Sequence, residues 1–313
     1  MKKRRVRKDR VFILIVCLSL FLCSIFLAFN KIINYIYENK RIDLSSLDIN
    51  ELDYSLMKEF DIDLYSKSYM LVRLNDFKVL YGKNIDSKFY PASLTKVLTL
   101  DTVVNNVDDL NDTSYLTSDD YNSLINENAS LAYLSIDKNY SINDLLYALV
   151  LPSGGDAAIA LENYFSQNNE DLVSLLNKRC DYLGLNNSHF TNTTGLHDDD
   201  LYTSLSDFSK IVIDCLNNDS AKKVLKSFSY TLSDGLTVKS TLKSLENKIS
   251  DVEIYGGKTG FTSKAGENIM VLFSYENRSY LLILVNAPGN PYNYDEDYHI
   301  KDVISVLEYF SYN

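Results

Sequence analysis

Two segments far apart in the chain carry the two-residue alternation of β-hairpins, and most of what lies between them is spaced as helix. SYMLVRLN (68–75) and FKVLYGK (77–83) flank Asp76, and ENIMVLFSYENRSYLLILVNA (267–287) alternates about Glu276, Asn277 and Arg278. Between them, SLTKVLTLDTVVNN (93–106), SINDLLYALVL (141–151), DAAIALENYF (156–165) and EDLVSLLNKRCDYLGL (170–185) have helical spacing, the last ending near Gly184. Ser141 and Asp144 fit a capping box at the start of the second of these. DEDYHIKDVISVLEYFSY (295–312) closes the chain as an amphipathic helix. Strands at both ends with helices between them predict an α+β plan in which the two terminal hairpins share one antiparallel sheet.

The chain begins differently. Val11 to Phe29 is an unbroken run without a charge, about 28 Å long as a helix and so close to one hydrocarbon core. Residues 1–10 hold seven Lys and Arg against Asp9, which keeps that end cytoplasmic and places the body outside. No small-residue cleavage site follows the run, and Leu22 before Cys23 does not suit a lipoprotein signal, so the run is expected to remain as a single-pass anchor. Tyr35 and Tyr37 follow at interfacial depth. The expected division is therefore a basic tail (1–10), an anchor (11–29), a polar juxtamembrane stalk (30–65) and one folded domain (66–313) at the cell membrane.

The chain's formal charge of −11 includes that basic tail, so the body is strongly acidic and unsuited to nucleic acid. Three histidines, His189, His197 and His299, with no H-x-x-x-H spacing and no cysteine cluster, predict no metal centre, and no cofactor is expected. Cys180 and Cys215 are either bridged or two small buried hydrophobes.

Nucleophilic chemistry is spelled out in three short motifs. A serine hydroxyl attacks only when a base takes its proton, and a lysine serves if it is neutral, which burial or a second cation promotes. Ser93-Leu94-Thr95-Lys96 puts the two side chains on one helical face after Pro91, with the Ser93 backbone N–H free at the helix start. The same spacing begins at Ser55, Ser135, Ser220 and Ser240, so it means little by itself. Context singles out Ser93. Ser153-Gly154-Gly155-Asp156 follows the helix ending ALVLP and offers a hydroxyl in a glycine-flanked turn. Ser141-Ile142-Asn143 competes for this role as S-x-N, but Ser141 is accounted for as a helix cap. Gly257-Lys258-Thr259-Gly260-Phe261 then offers a cation and a hydroxyl to a carboxylate, with glycines that let backbone approach a ligand.

In that order the motifs resemble the serine D-Ala-D-Ala carboxypeptidases, the low-molecular-mass penicillin-binding proteins. The resemblance extends over YPASLTKVLT, INDLLYALVLPSGGDAAIAL, YLGLNNSHFTNTTGLHDDDLYTSLSDFSKIV and YGGKTGFTSKAGENI. It implies a β-lactamase/transpeptidase-like fold, an antiparallel sheet flanked by helices with a mostly helical lobe. It implies Ser93 as nucleophile, Lys96 as base and Ser153 as proton relay. The backbone N–H groups of Ser93 and Phe261 would form the oxyanion hole. Lys258 and Thr259 would hold the terminal carboxylate of a peptidoglycan stem peptide ending in D-Ala-D-Ala, with Gly260, Phe261 and Gly155 also at the substrate, and β-lactams would acylate Ser93 as mimics.

Two positions depart from the family pattern. Gly155 stands where the family has a substrate-contacting Asn, and Leu201 where it often has His. A β-lactamase reading needs an added carboxylate, for which Glu162 and Glu170 are the candidates; a peptide-binding homologue with weak turnover is the reading that Gly155 favours.

Overall fold

The computed structural model describes residues 52–245, 251–289 and 297–312. The expected basic tail and anchor lie outside these residues. Among the described residues, no helix is long and apolar enough to cross a membrane.

Strands β1 (Ser68–Arg73) and β2 (Lys78–Lys83) form the first hairpin. At its turn Arg73 Nε and Nη2 donate to the two Asp76 oxygens at 2.8 and 2.7 Å, and Phe77 takes the left-handed conformation. Strands β7 (Glu253–Thr262), β8 (Gly266–Tyr275) and β9 (Arg278–Ala287) come from the other end of the domain. The β8–β9 turn has Glu276 and Asn277 both at positive φ (48 and 61°), the backbone that matches the twist of paired strands. One antiparallel sheet results, in the order β2-β1-β9-β8-β7. The two hairpin regions thus meet at the β1–β9 pairing, Ser68 opposite Val285 through Arg73 opposite Tyr280. β2 and β7 are its edges.

The sheet is covered on both faces. Alternate residues Tyr69, Leu71, Ile269, Val271, Phe273, Leu282 and Leu284 pack with Val303, Val306 and Leu307 of the C-terminal helix, α8 (Tyr298–Tyr312). Each fully buried aliphatic side chain of this kind contributes about 1.5–3 kcal/mol. The intervening residues, Met70, Val72, Met270, Leu272, Leu281 and Ile283, are buried on the opposite face. There the sheet meets α6 (Leu205–Asn217) of the helical lobe.

That lobe is built round α1 (Thr95–Asn106), whose residues Thr95 to Val103 are all buried. Around it stand α3 (Ile142–Val150), α4 (Gly155–Gln167), α5 (Leu172–Tyr182), α6 and α7 (Asp219–Leu225), with α2 (Ser118–Asn126) packed on α4. Two small hairpins, β3–β4 (Thr113–Ser114 with Tyr140–Ser141) and β5–β6 (Ser229–Thr231 with Thr237–Lys239), complete the fold. Asp101 is buried within α1 and accepts from Arg179 Nε of α5 at 2.8 Å, while Arg179 Nη2 donates to Asp214 of α6. One guanidinium thus ties three helices.

Two expectations are revised, and one left open is resolved. Residues 52–65, assigned to a stalk, are bound to the domain: Asp53 and Lys58 bridge to β2, the Phe60 N–H donates to Tyr69 Oη at 3.0 Å, and the Phe60 ring stacks on Tyr81 at 4.1 Å. Tyr65 N and Ser66 N donate to the buried Asp302 of α8. The capping box at α3 is half formed. Ser141 Oγ accepts from Asp144 N, but the Asp144 carboxylate accepts from Ser233 N instead. Cys180 and Cys215 are free thiols, both buried.

Candidate active site

The chain reaches Ser93 through a strained turn. Pro91 caps a short 3-10 turn, Ala92–Leu94, and Ala92 sits at φ 50°, a conformation that survives only where its surroundings hold it. Asn268 of β8 supplies that hold: its Nδ2 donates to the Tyr90 and Pro91 carbonyls at 2.9 and 3.3 Å, and its Oδ1 accepts from Asn286 N at 2.9 Å. Asn268 follows Glu267 near the start of β8 and carries no local signal that sets it apart, so sequence reading missed it.

Ser93 therefore lies on the turn before α1, and Lys96 in the first turn of α1. Lys96 Nζ stands 3.1 Å from Ser93 Oγ. Its second partner is the Thr194 carbonyl. Ser93 stays partly exposed while Lys96 is 2% exposed. Burial pushes the Lys96 pKa down to about 7, against a raising effect of the Asp156 charge. An amine titrating there is substantially neutral near neutral pH and can accept the hydroxyl proton.

The Thr194 carbonyl is aimed by a loop that sequence reading did not single out. Asn192 Oδ1 accepts from Thr194 N, Thr194 Oγ1 and Gly195 N at 3.2, 3.0 and 2.7 Å. Thr99 Oγ1 of α1 donates to the Thr193 carbonyl at 2.9 Å. Gly195, at φ 77°, passes so close to Ala92 that a Cβ would lie 1.9 Å from the Ala92 oxygen. Glu162 is engaged on this loop, accepting from Thr193 Oγ1; burial raises its pKa. Glu170 is exposed beyond the end of α4.

Ser153 lies in the turn before α4 at φ 67°, and its buried Oγ has no hydrogen-bond partner. The Asp156 carboxylate, fully buried, accepts from Ala132 N, Leu134 N and Ala157 N at 2.9–3.0 Å, which fastens the 130–134 loop over this turn. Gly155 donates its N–H to Ser130 O at 2.7 Å. A Cβ on Gly155 would meet Ser130 O, Leu124 Cδ2 and Ala129 Cβ at 3.2–3.4 Å, so the loop has closed on a position without a side chain.

Edge strand β7 brings the third motif. Lys258 is fully buried and donates to the Thr259 carbonyl at 2.8 Å. Burial and then the charge of Lys96 push its pKa well below the usual lysine range. The two cations are thus within electrostatic reach, which favours a neutral amine on one of them. Thr259 Oγ1 donates to Thr241 Oγ1 at 2.8 Å. Gly260 lies against the Ser93 turn, and Phe261 follows it, 38% exposed.

Among the described residues, Glu267, Asp297 and His299 bring metal-ligand atoms within 4.8 Å of one another. His299 Nδ1 already meets Glu267 Oε2 at 2.7 Å.

Comparison with known proteins bears on what this arrangement serves. The family profile of the D-alanyl-D-alanine carboxypeptidases matches residues 56–289. The chain is 28% identical over 205 residues to D-alanyl-D-alanine carboxypeptidase DacF of Bacillus subtilis, covering 64% of this chain and 52% of the relative. Against DacA of Escherichia coli the identity is 27% over 237 residues, covering 72% and 57%. The chain thus spans little more than half the length of these curated relatives. In fold it is similar to the Streptomyces K15 DD-transpeptidase (TM-score 0.70, 22% identity, 80% of this chain and 98% of that one). It is also similar to the ampicillin-bound penicillin-binding protein D2 of Listeria monocytogenes (TM-score 0.67, 20% identity, 80% and 99%).

Proposed function

The chain belongs to the D-alanyl-D-alanine carboxypeptidase family, and we propose that it is a membrane-anchored serine D-Ala-D-Ala carboxypeptidase acting on peptidoglycan stem peptides. The observation that carries this reading is the 3.1 Å approach of Lys96 Nζ to the partly exposed Ser93 Oγ, by a lysine whose burial brings its pKa to about 7.

The steps follow from the side chains. Neutral Lys96 takes the Ser93 hydroxyl proton as Oγ attacks the carbonyl between the two terminal D-alanines. The negative charge that develops on the carbonyl oxygen is met by the backbone N–H groups of Ser93 and Phe261. Collapse of the tetrahedral species breaks the C–N bond. Ser153 passes a proton to the departing amine and is reprotonated by Lys96, a relay suited to a hydroxyl with no competing partner. Water then attacks the acyl-Ser93 ester, giving up a proton to Lys96; the bond to Oγ breaks, Lys96 returns that proton to Ser93 Oγ, and the shortened peptide leaves. Lys258 and Thr259 hold the substrate's terminal carboxylate, whose charge restores protonation on Lys258. β-Lactams enter the same acylation step.

The anchor at residues 11–29, with the N-terminus cytoplasmic, remains part of this proposal and rests on the uncharged run and its basic flank. It requires the full chain to sediment with membranes and the chain lacking residues 1–40 to be released.

Labelling the full chain with a fluorescent penicillin tests the reading. A stable adduct, lost in Ser93→Ala, together with D-Ala release from a peptide ending in D-Ala-D-Ala, supports it. Rapid release of opened drug without D-Ala release points to a β-lactamase, and a stable adduct without D-Ala release to the weak-turnover homologue. No adduct on the wild type sinks the reading.

A further inference from the structure

Tyr133 is an aromatic residue in a backbone conformation that suits glycine or asparagine. Its φ is 65°. The reason is local: the N–H groups of its two neighbours converge on one carboxylate, Ala132 N on Asp156 Oδ1 at 2.9 Å and Leu134 N on Asp156 Oδ2 at 3.0 Å. Successive residues wrapped round an anion in this way need a left-handed residue among them. Glycine would fill that place at little steric cost, and a bulky residue there is an outlier.

The side chain makes no contact within the fold that offsets the strain. Ala132 and Leu134 are 4% and 3% exposed, whereas Tyr133 is 72% exposed. Neither its ring nor its hydroxyl has a hydrogen bond or ring partner among the described residues. The clamp thus buries both neighbours and sets the tyrosine out in solvent.

Its position gives the ring something to meet. The clamping carboxylate belongs to the second motif, next to Gly155 and three residues after Ser153, and its charge is felt by Lys96. Ser130 O accepts the Gly155 N–H, and Ala132 Cβ lies 2.9 Å from where a Cβ on Gly154 would stand. The 130–134 loop therefore lies directly on the Ser153–Gly155 turn. Gly154 and Gly155 have no side chains and Ser153 Oγ is buried, and of the 130–134 loop that lies on them Tyr133 is the large side chain set fully into solvent, beside an exposed Ser130 and a half-buried Leu131.

We propose that Tyr133 is a substrate-contacting specificity residue, an aromatic shelf for the part of the peptide upstream of D-Ala-D-Ala. The inference rests on the carboxypeptidase reading and deepens it by naming the substrate class: extended peptides rather than the bare terminal dipeptide. A flat apolar face packs on peptide planes and aliphatic side chains and loses little rotamer freedom in doing so.

The test uses the full chain in detergent and two unlabelled competitors against a fluorescent penicillin: N-acetyl-D-Ala-D-Ala and a pentapeptide ending in D-Ala-D-Ala. The readout is the ratio of their inhibition constants, which needs no turnover. In Tyr133→Ala and Tyr133→Gly the preference for the pentapeptide falls about tenfold, the size of one aromatic contact. In Tyr133→Phe it stays within about twofold of wild type. Tyr133→Gly also melts no lower than wild type, because glycine suits the left-handed backbone, so a misfolded variant does not explain its loss. A preference unmoved in both Ala and Gly variants overturns the inference, as does a loss in the Phe variant equal to that in Ala. Penicillin labelling without D-Ala release from the wild type overturns the carboxypeptidase reading but leaves the Tyr133 ratio readable, and absence of labelling overturns both.

Discussion

Gly260 and Ser93 belong to different halves of the molecule and are held so close that a single carbon will not fit between them. A Cβ on Gly260 would stand 3.0 Å from Ser93 N, 2.9 Å from Pro91 O and 3.1 Å from Leu94 N. Edge strand β7 is therefore pressed backbone to backbone against the turn that bears the nucleophile, and the oxyanion hole proposed above draws one N–H from each. Gly260→Ala must push the two apart. The expected outcome is a fall of about 100-fold or more in penicillin acylation, the scale of losing one oxyanion donor, measured as the second-order rate of adduct formation.

The proposed mechanism needs a neutral Lys96, whose pKa burial lowers to about 7. The rate should therefore fall about tenfold per pH unit below about 7 and level off above it. A rate unchanged down to about pH 5 would count against Lys96 as base.

The same burial has a cost in stability. The unfolded chain holds its Lys96 proton up to the usual lysine range, whereas the folded one releases it from about 7. The folded state is thus penalised fully below pH 7, and the penalty vanishes as pH rises toward 10.5. Lys96→Met should be inactive yet melt higher at pH 7 by the equivalent of ~2 kcal/mol. The gap between the two melting curves should narrow as pH rises; a widening gap would contradict the sign.

Gly155→Asn tests whether the family's amide can simply be put back. Ser130 O, Leu124 and Ala129 crowd the new Cβ at 3.2–3.4 Å. The expected result is a loss of about 1–2 kcal/mol in stability, as for overpacking, with no gain in acylation. A faster, equally stable variant would show that the loop yields.

Arg179 neutralises two buried carboxylates, Asp101 and Asp214. Burial and the Asp214 charge push the Asp101 pKa up, to about 7, against the pull of Arg179. Arg179→Met removes that pull and should cost about 3–5 kcal/mol at pH 7.5. The loss should shrink as the pH is lowered through 7 and Asp101 protonates, which chemical denaturation at several pH values would reveal.

Asn268 holds the Pro91 turn from the sheet. Asn268→Leu takes the partner from the Tyr90 carbonyl and from the Asn286 N–H, while Pro91 O keeps the Leu94 N–H, and each polar group left unpaired costs about 1–3 kcal/mol. Acylation should fall together with melting temperature, since the turn carries Ser93. A stable but inactive variant would assign Asn268 a role beyond support.

The hairpins were legible because alternation has a period of two and both turns carried polar residues, and the shared sheet followed from where they sit in the chain. Ser93 was legible from order, not spacing: Ser55-Leu56-Met57-Lys58 has the same four-residue frame but lies in a segment bound to the edge of β2. The family expected from that order is the one whose profile matches. What stayed hidden was contributed from a distance. Asn192 and Asn268 act on the nucleophile's turn and on Lys96 through backbone carbonyls, and nothing local distinguishes them from ordinary loop and strand amides. The stalk boundary was misplaced because 52–65 was read from its acidic residues, although Phe60, Ile62 and Leu64 alternate with Asp61 and Asp63 and pack on the core of the sheet.

Sequence alone determined the α+β plan, the family, and which Ser and Lys are paired, because local periodicity and motif order are written along the chain. Only the tertiary structure decided how far Lys96 is buried, that Lys258 lies within reach of its charge, and that the loop has closed over Gly155. Those are properties of desolvation and crowding, set by elements that meet only when the terminal strands pair and the helices pack round α1.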